Sequence, residues 1–323
     1  MDLQKQKRMK KIHPENKNIH IPVLLNEVLE YLDPQLGNSY LDLTAGYGGH
    51  AEKIIERTKS PEVTLVDRDQ NSIMFLKQKF GGSNYEIIHS DFLEESINLE
   101  KVNRKYDLIL ADLGVSSPHL NEASRGFSFL SDSKLDMRMD QTQKLTADYI
   151  VNHYDQRKLA KLIREYGQDP KAQKISRLIV DNRPIKSTVQ LAQIIKKAWP
   201  GYTKIHPATR TFQAIRILVN DELGQLEASL PIWGNLLSPG GRLVIISFHS
   251  LEDRLIKQYF RKNASSNYDS TMNLLTKTPI IASSTELVLN PRARSAKLRA
   301  VAKIKNRKEG LDAYTGQKPL QSV

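Results

Sequence analysis

Apolar and polar positions change their period twice along this chain. Residues 23, 24, 28, 29 and 32 form a helical stripe of Val and Leu. Short apolar runs then alternate with helical spacing. The runs predict strands at 40–44, 63–66, 85–88 and 107–112, with helices at 49–57 and 70–79 between them. Such alternation indicates an α/β protein with a doubly wound, mostly parallel sheet covered by helices on both faces. The period is lost over 114–140, a stretch rich in Ser, Gly, Asp and Arg. It returns as purely helical spacing from 147 to 198, in pieces at 158–166, 172–182 and 188–198, and ends at Trp199-Pro200-Gly201. Residues 206–230 are helical again, and LLSPGGRLVIISFHS (236–250) reads as a Pro-Gly-Gly turn and a strand at 242–247. The organisation predicted is a basic, flexible segment at 1–18, a first part of the sheet domain at 19–119, and a helical substrate-recognition insert at 120–210. A second part of the sheet domain follows at 211–323, opening with one long helix over 211–230 and ending in a basic tail.

Charge adds a partner to this picture. Lys and Arg outnumber Asp and Glu 48 to 36, a net charge of +12. Lys5, Lys7, Arg8, Lys10, Lys11 and Lys17 crowd one end, and Arg292, Arg294, Lys297, Arg299, Lys303, Lys305, Arg307 and Lys308 crowd the other. Two basic ends around a near-neutral middle suit a polyanion such as nucleic acid, although net charge alone is equally explained by solubility. The chain has no cysteine, which excludes a disulfide framework, a thiolate zinc site and a Cys nucleophile. No apolar run approaches the ~18 residues of a membrane span, and no apolar stretch of a secretory signal follows the basic start. A cytoplasmic protein is expected.

The chemistry-bearing segment is YLDLTAGYGGH (40–50). A strand runs into a turn with Gly46, Gly48 and Gly49, a helix follows, and the next strand ends at Asp67. Strand, glycine turn, helix, strand and acid is the layout that holds an adenosine cofactor, the acid taking the ribose hydroxyls. The glycine spacing by itself also fits a nicotinamide dinucleotide or a plain tight turn. Asp42, inside the first strand, favours the charged end of S-adenosylmethionine over a pyrophosphate, which it would repel. Asp112 closes the fourth strand where a methyl donor would sit.

Beyond these features, long unusual segments run through the chain: HIPVLLNEVLEYL (20–32), LDLTAGYGGH (41–50), DLGVSSPHL (112–120), RGFSF (125–129), LDMRMD (135–140), HPATRTFQAIRILVNDEL (206–223), PGGRLVIISFHSLEDR (239–254) and NPRARSAKLR (290–299). On these the chain resembles the bacterial 16S ribosomal RNA cytosine-N4 methyltransferases, the RsmH or MraW family, over about residues 20–300. The resemblance implies a class I, Rossmann-like methyltransferase fold. It implies S-adenosylmethionine as cofactor and methyl transfer to the exocyclic N4 of a cytidine in the decoding region of the small-subunit RNA. Carried over by position, Gly48, Gly49, His50, Asp67, Phe92, Asp112 and His119 would hold the cofactor. The family usually has Gln where His119 stands, and EYGQDPKAQKISRLIV (165–180) departs from the family's pattern in the insert.

The residues suit those roles, each beside a blander one. Asp67 fits a ribose diol or a cap of the following helix. Asp91-Phe92 fits adenine, the acid on the amine and the ring on the base, or Phe92 is simply core. Asp112 is the expected catalytic residue, accepting from the N4 amine, or it only binds the donor's amino group. For the substrate, Arg125, Phe127 and Phe129 fit stacking on an unpaired base or a hydrophobic plug. Asp136, Arg138 and Asp140 would meet the cytidine or order their own loop, and Ser247, His249 and Ser250 would stand at the mouth of the site. No G-x-S-x-G elbow supports hydrolase chemistry, no H-E-x-x-H supports a metal, and the (D/N)PP(Y/F/W) motif of amino-directed DNA methyltransferases is absent. The remaining alternative is a non-catalytic RNA-binding or assembly factor on the same fold. Helix 211–230 would serve a homodimer interface as readily as the core.

Overall fold

In the computed structural model the described residues are 22–114, 125–264 and 270–304. Seven strands form one sheet: β1 (Tyr40–Asp42), β2 (Val63–Asp67), β3 (Glu86–His89), β4 (Tyr106–Asp112), β5 (Leu237–Ser247), β6 (Met272–Leu274) and β7 (Lys297–Lys303). Their order is β3-β2-β1-β4-β5-β7-β6. Strands β1 to β5 pair in parallel, and β7 is antiparallel to both of its neighbours. This is the class I methyltransferase sheet that the sequence led us to expect.

The period of two in the strands explains the two cores. Leu108, Leu110, Val244 and Ile246 face one layer, with α1 (Leu25–Leu32), α2 (Gly49–Thr58) and α3 (Gln70–Phe80). Ile109, Ala111, Leu243 and Ile245 face the other, with α4 (Phe92–Lys101), α10 (Glu222–Leu236) and α11 (Ser250–Asn263). Alternate side chains on a strand point to opposite faces, so a strand buried on both sides is apolar throughout. A six-residue helix, α12 (Ser284–Leu289), and a 3₁₀ turn, Pro291–Ser295, precede β7.

The insert has its own core. Helices α5 (Ala147–His153), α6 (Gln156–Glu165), α7 (Ala172–Asp181), α8 (Thr188–Lys196) and α9 (Ala208–Asn220) bury one cluster that runs from Phe127 to Val219. Thr146, Asp155 and Ser187 cap α5, α6 and α8 through side-chain acceptors. The long helix expected over 211–230 is therefore two. It breaks at Asp221, where φ is 46°, and the break separates the insert's core from the sheet's. Both halves bury apolar faces within the chain, α9 in the insert and α10 through Leu226, Leu230 and Trp233 on the sheet.

Two further expectations are revised. The Pro-Gly-Gly segment is part of β5, as a bulge: Tyr106 pairs with Leu237 and Leu108 with Arg242. And the basic crowd near residue 300 is not a tail as far as Lys303. It is β7, with Arg299 bonded to Asp253 (Nε to Oδ1, 2.6 Å) and Lys303 donating to the Gly234 carbonyl (2.7 Å). Burial pushes the Lys303 ammonium down to about 8. The cations of 1–18 and those from Lys305 onward lie outside the described residues.

Candidate functional site

The carboxyl ends of β1, β2, β4 and β5 open on a cleft of about 740 Å³. It stands between β1 and β4, where the strand order reverses, the place where open parallel sheets take their ligands. The insert forms its opposite wall through Phe127, Phe129, Met139 and α9.

On the sheet side the turn after β1 is fixed from behind. Gly46 N donates to Asp67 Oδ2 (2.7 Å), tying the turn to the end of β2. Gly48 has φ 70°, and a Cβ on it would lie 2.9 Å from Phe80 Cε2, while one on Gly49 would lie 2.7 Å from Pro22 Cγ. Gly48 is thus required by backbone shape and by packing, and Gly49 by packing against Pro22. Gly49, His50, Asp67, Phe92 and Asp112 line the cleft, and Gly48 does not.

Asp67 also accepts from Asp69 N (2.8 Å), and α3 is capped by Asp69 instead, which accepts from Asn71 N (3.0 Å). Asp67 thus braces two backbone N–H groups while it lines the cleft. Phe92 opens α4 and meets Trp233 edge-on at 5.6 Å. Asp91, expected to reach an adenine amine, uses Oδ1 to cap that helix, accepting from Leu93 N and Glu94 N at 2.9 Å each. His50 Nε2 lies 2.9 Å from the Val23 carbonyl. A carbonyl only accepts, so Nε2 carries the proton and Nδ1 faces Asp112 Oδ2 at 3.8 Å. His119 lies outside the described residues.

Asp112 is the least satisfied of these groups. Its backbone N donates to Thr44 Oγ1 (2.6 Å), and its Oδ1 is buried without a hydrogen-bond partner. Burial, then the negative charges of Asp42 and Glu252, hold its carboxyl well above the usual range. Asp42 lies beneath, accepting from Tyr40 Oη (2.7 Å) and Thr44 N (3.2 Å). Burial raises it to about 7 against those hydrogen bonds. Two buried acids with a vacant acceptor oxygen suit a cationic ligand, and a dianionic pyrophosphate would be repelled. The residues present therefore fit S-adenosylmethionine, with Asp67 for the ribose, Phe92 for the adenine and Asp112 at the cationic end.

On the insert side the expected residues divide. Phe127 and Phe129 line the cleft, and Phe129 stacks on His206 (4.6 Å) and meets Phe212 edge-on (4.9 Å). Phe127 belongs at the same time to the insert's core. Arg125 is buried, and its Nη2 donates to the carbonyls of Arg138 (3.1 Å) and Met139 (2.8 Å). Arg138 holds Asp136 through Nε and Nη2, both at 2.8 Å, and its Nη1 donates to the carbonyls of Gln141 and Gln143. That trio shapes the loop beneath the aromatics. Ser247 faces away from the cleft, its Oγ donating to the Lys297 carbonyl (3.3 Å).

His249 does reach the cleft, with partners that sequence reasoning passed over. Arg216 on α9 grips Glu222 through Nε and Nη2, each 2.8 Å. His249 Nε2 lies 3.1 Å from Glu252 Oε1 and 3.9 Å from Glu222 Oε2. Its Nδ1 accepts from Glu252 N, while Glu252 Oε2 accepts from Phe248 N and His249 N, a capping box on α11. Burial opposes charge on Glu222, but Arg216 and His249 outweigh it and hold the acid down near 2. Ligand atoms of Glu222, His249 and Glu252 lie within 4.8 Å of one another, a spacing that also suits a divalent cation. The cap decides against it: Nδ1 accepts an N–H, so Nε2 carries the proton and offers no lone pair. The four side chains are an ion-pair network joining insert to sheet.

Residues 17–304 match the profile described as the MraW methylase family. The chain is 44% identical over 299 residues to "Ribosomal RNA small subunit methyltransferase H" of Synechocystis sp., covering 88% of this chain and 93% of the relative. It is equally 44% identical over 290 residues to the protein of that name from Nostoc punctiforme, covering 88% and 94%. A solved structure described as a putative rRNA-methylase from Clostridium thermocellum aligns over 89% of this chain and 99% of its own, at 9% identity and a TM-score of 0.43. Among the described residues no helix is long and apolar enough to cross a membrane.

Proposed function

The chain belongs to the MraW methylase family, and from that premise we propose that it methylates the exocyclic N4 of a cytidine in the decoding region of 16S ribosomal RNA, using S-adenosylmethionine, in the cytoplasm. The name shared by the Synechocystis and Nostoc relatives, matched along nearly their whole length, supports small-subunit RNA as the substrate. The observation that carries the chemistry is the buried, unpartnered Oδ1 of Asp112 on the cleft wall.

When bound, S-adenosylmethionine supplies an electrophilic methyl group on a sulfonium. The chain's part is to bring the acceptor nitrogen within attack distance, about 3–3.5 Å, and in line. Asp67 and Phe92 fix the nucleoside end of the donor, and the glycine turn keeps side chains out of the way. The N4 lone pair of cytosine is delocalised into the ring. Asp112 Oδ1, accepting from one N4–H, pushes density back to nitrogen and then takes the proton that N4 sheds as the new N–C bond forms. Phe127 and Phe129 give the base a wall to lie against once it has left its stack.

Asp112→Asn keeps the shape and removes the charge. We expect turnover to fall about a hundredfold, of the order seen when one preorganised polar contact is lost, measured by single-turnover methyl transfer beside equilibrium binding of the cofactor. Weaker cofactor binding with an unchanged transfer rate would confine Asp112 to holding the donor. The substrate itself is tested by mass mapping of small-subunit RNA from cells with and without the gene. An N4-methylcytidine that persists in its absence defeats the proposal.

A further inference from the structure

Charge in the cleft is sorted by depth. Its floor is acidic: Asp112, Glu222 and Glu252 face it, with the half-buried Arg216 paired to Glu222. Its mouth is basic. Arg68 follows β2, Lys204 precedes α9, and Arg292 and Arg294 flank the buried Ala293 in the 3₁₀ turn before β7. All four line the cleft, and Lys204, Arg292 and Arg294 are exposed. They come from three stretches far apart in sequence, so the fold and not a basic run gathers them. Arg299 and Lys303, from the same crowd in the sequence, are buried in β7 and bonded to the protein. The cations at the mouth line the cleft instead.

We propose that this rim grips the phosphates on both sides of one extruded nucleotide of single-stranded RNA, while the acid floor admits only its uncharged base. A phosphate entering the floor would meet carboxylates in a partly dry site, where like charges repel strongly. A phosphate at the mouth meets guanidinium and ammonium groups in solvent, releasing counterions from the strand. The base between them lies against Phe127 and Phe129, a contact that tolerates any base and leaves the choice of cytosine to the polar floor. The sorting thus sets how far the strand enters, and so which atom of the nucleotide reaches Asp112. This inference rests on the reading of the cleft as an RNA methyltransferase site, yet it fails separately from it.

The test compares wild type with K204Q/R292Q/R294Q and with K101Q/K158Q/K161Q, which removes equal charge from residues that do not line the cleft. Anisotropy of a short labelled single-stranded RNA containing one cytidine is followed through a salt series. For three lost phosphate contacts the rim variant should bind about a hundredfold more weakly at about 0.1 M monovalent salt, with the slope of log K against log salt reduced by about 2. Calorimetric affinity for S-adenosylmethionine should be unchanged in it, and the control variant should bind RNA like wild type. A rim variant that keeps the wild-type slope, or a control that loses as much, overturns the rim while leaving the functional reading intact. A wild-type protein that binds no RNA overturns both.

Discussion

Two parts of the cleft keep their acids in opposite ways. At the joint between insert and sheet, Glu222 is locked to Arg216 at 2.8 Å through two bonds, and Glu252 is spent on His249 and two backbone N–H groups. On the sheet side the charges that bear on Asp112 are Asp42 and Glu252, both negative. A carboxylate neutralised by its own protein gains nothing from an incoming cation. One left short of positive charge gains a great deal, because the ligand removes the penalty of its burial. On the proposed function the cationic end of the cofactor would lie by Asp112, and the neutral base over the closed network.

The largest effect is expected at Arg216. Removing one partner of a buried pair leaves the other charged and uncompensated, at about 3–5 kcal/mol. Arg216→Met should lower stability by that amount in denaturant titrations, and the double variant Arg216→Met/Glu222→Leu should recover much of it. Equal stability of Arg216→Met and wild type would mean the network is open to solvent and not a closed joint.

The sheet side should show the reverse sign. Asp42 stands at about 7 folded against an ordinary 3.8, a raised acid. Its neutral form is favoured in the fold, so its contribution is fully present below pH ~3.8 and is lost as pH rises through about 7. At 1.36 kcal/mol per pH unit, the loss reaches at most about 4 kcal/mol above pH 8. Asp42→Asn should match wild type near pH 4 and exceed it at pH 8, and saturating S-adenosylmethionine should narrow the gap by restoring wild type. Parallel pH profiles for the two proteins would show that Asp42 is solvated in the fold.

The smallest effect is expected on the aromatic wall. Phe129→Leu removes a stacking face and keeps much of the apolar volume, so RNA affinity should drop by about 1 kcal/mol, with cofactor affinity unchanged. A loss of cofactor affinity instead would assign Phe129 to packing between insert and sheet.

The sheet side of the cleft was legible in the sequence because its signals are local. The glycines, Asp42, Asp67 and Asp112 each stand within a few residues of a strand end, and strands declare themselves by apolar runs. The joint between insert and sheet was not. Arg216, Glu222 and Glu252 sit at ordinary polar positions of helices, and only the fold brings residue 216 to residue 252. Asp221 reads as a helix residue, yet its left-handed φ splits the helix and sets the joint between the two cores. The Lys297–Lys303 strand was obscured by its charges: four of its seven residues are apolar, but Arg299 and Lys303 lead the eye to a tail.

The place of the insert bears on how the chain assembles. β4 must pair with β5, but residues 113–236 come between them during synthesis. Until β5 emerges, β4 is an open edge, the kind of surface on which chains aggregate. A disordered loop of that length would have to lose its freedom before the pairing repaid it. The insert, with a core running from Phe127 to Val219, can collapse on its own first and bring its two ends to fixed positions. The region proposed to meet the substrate would then also be a splint, shortening the search by which the central sheet closes.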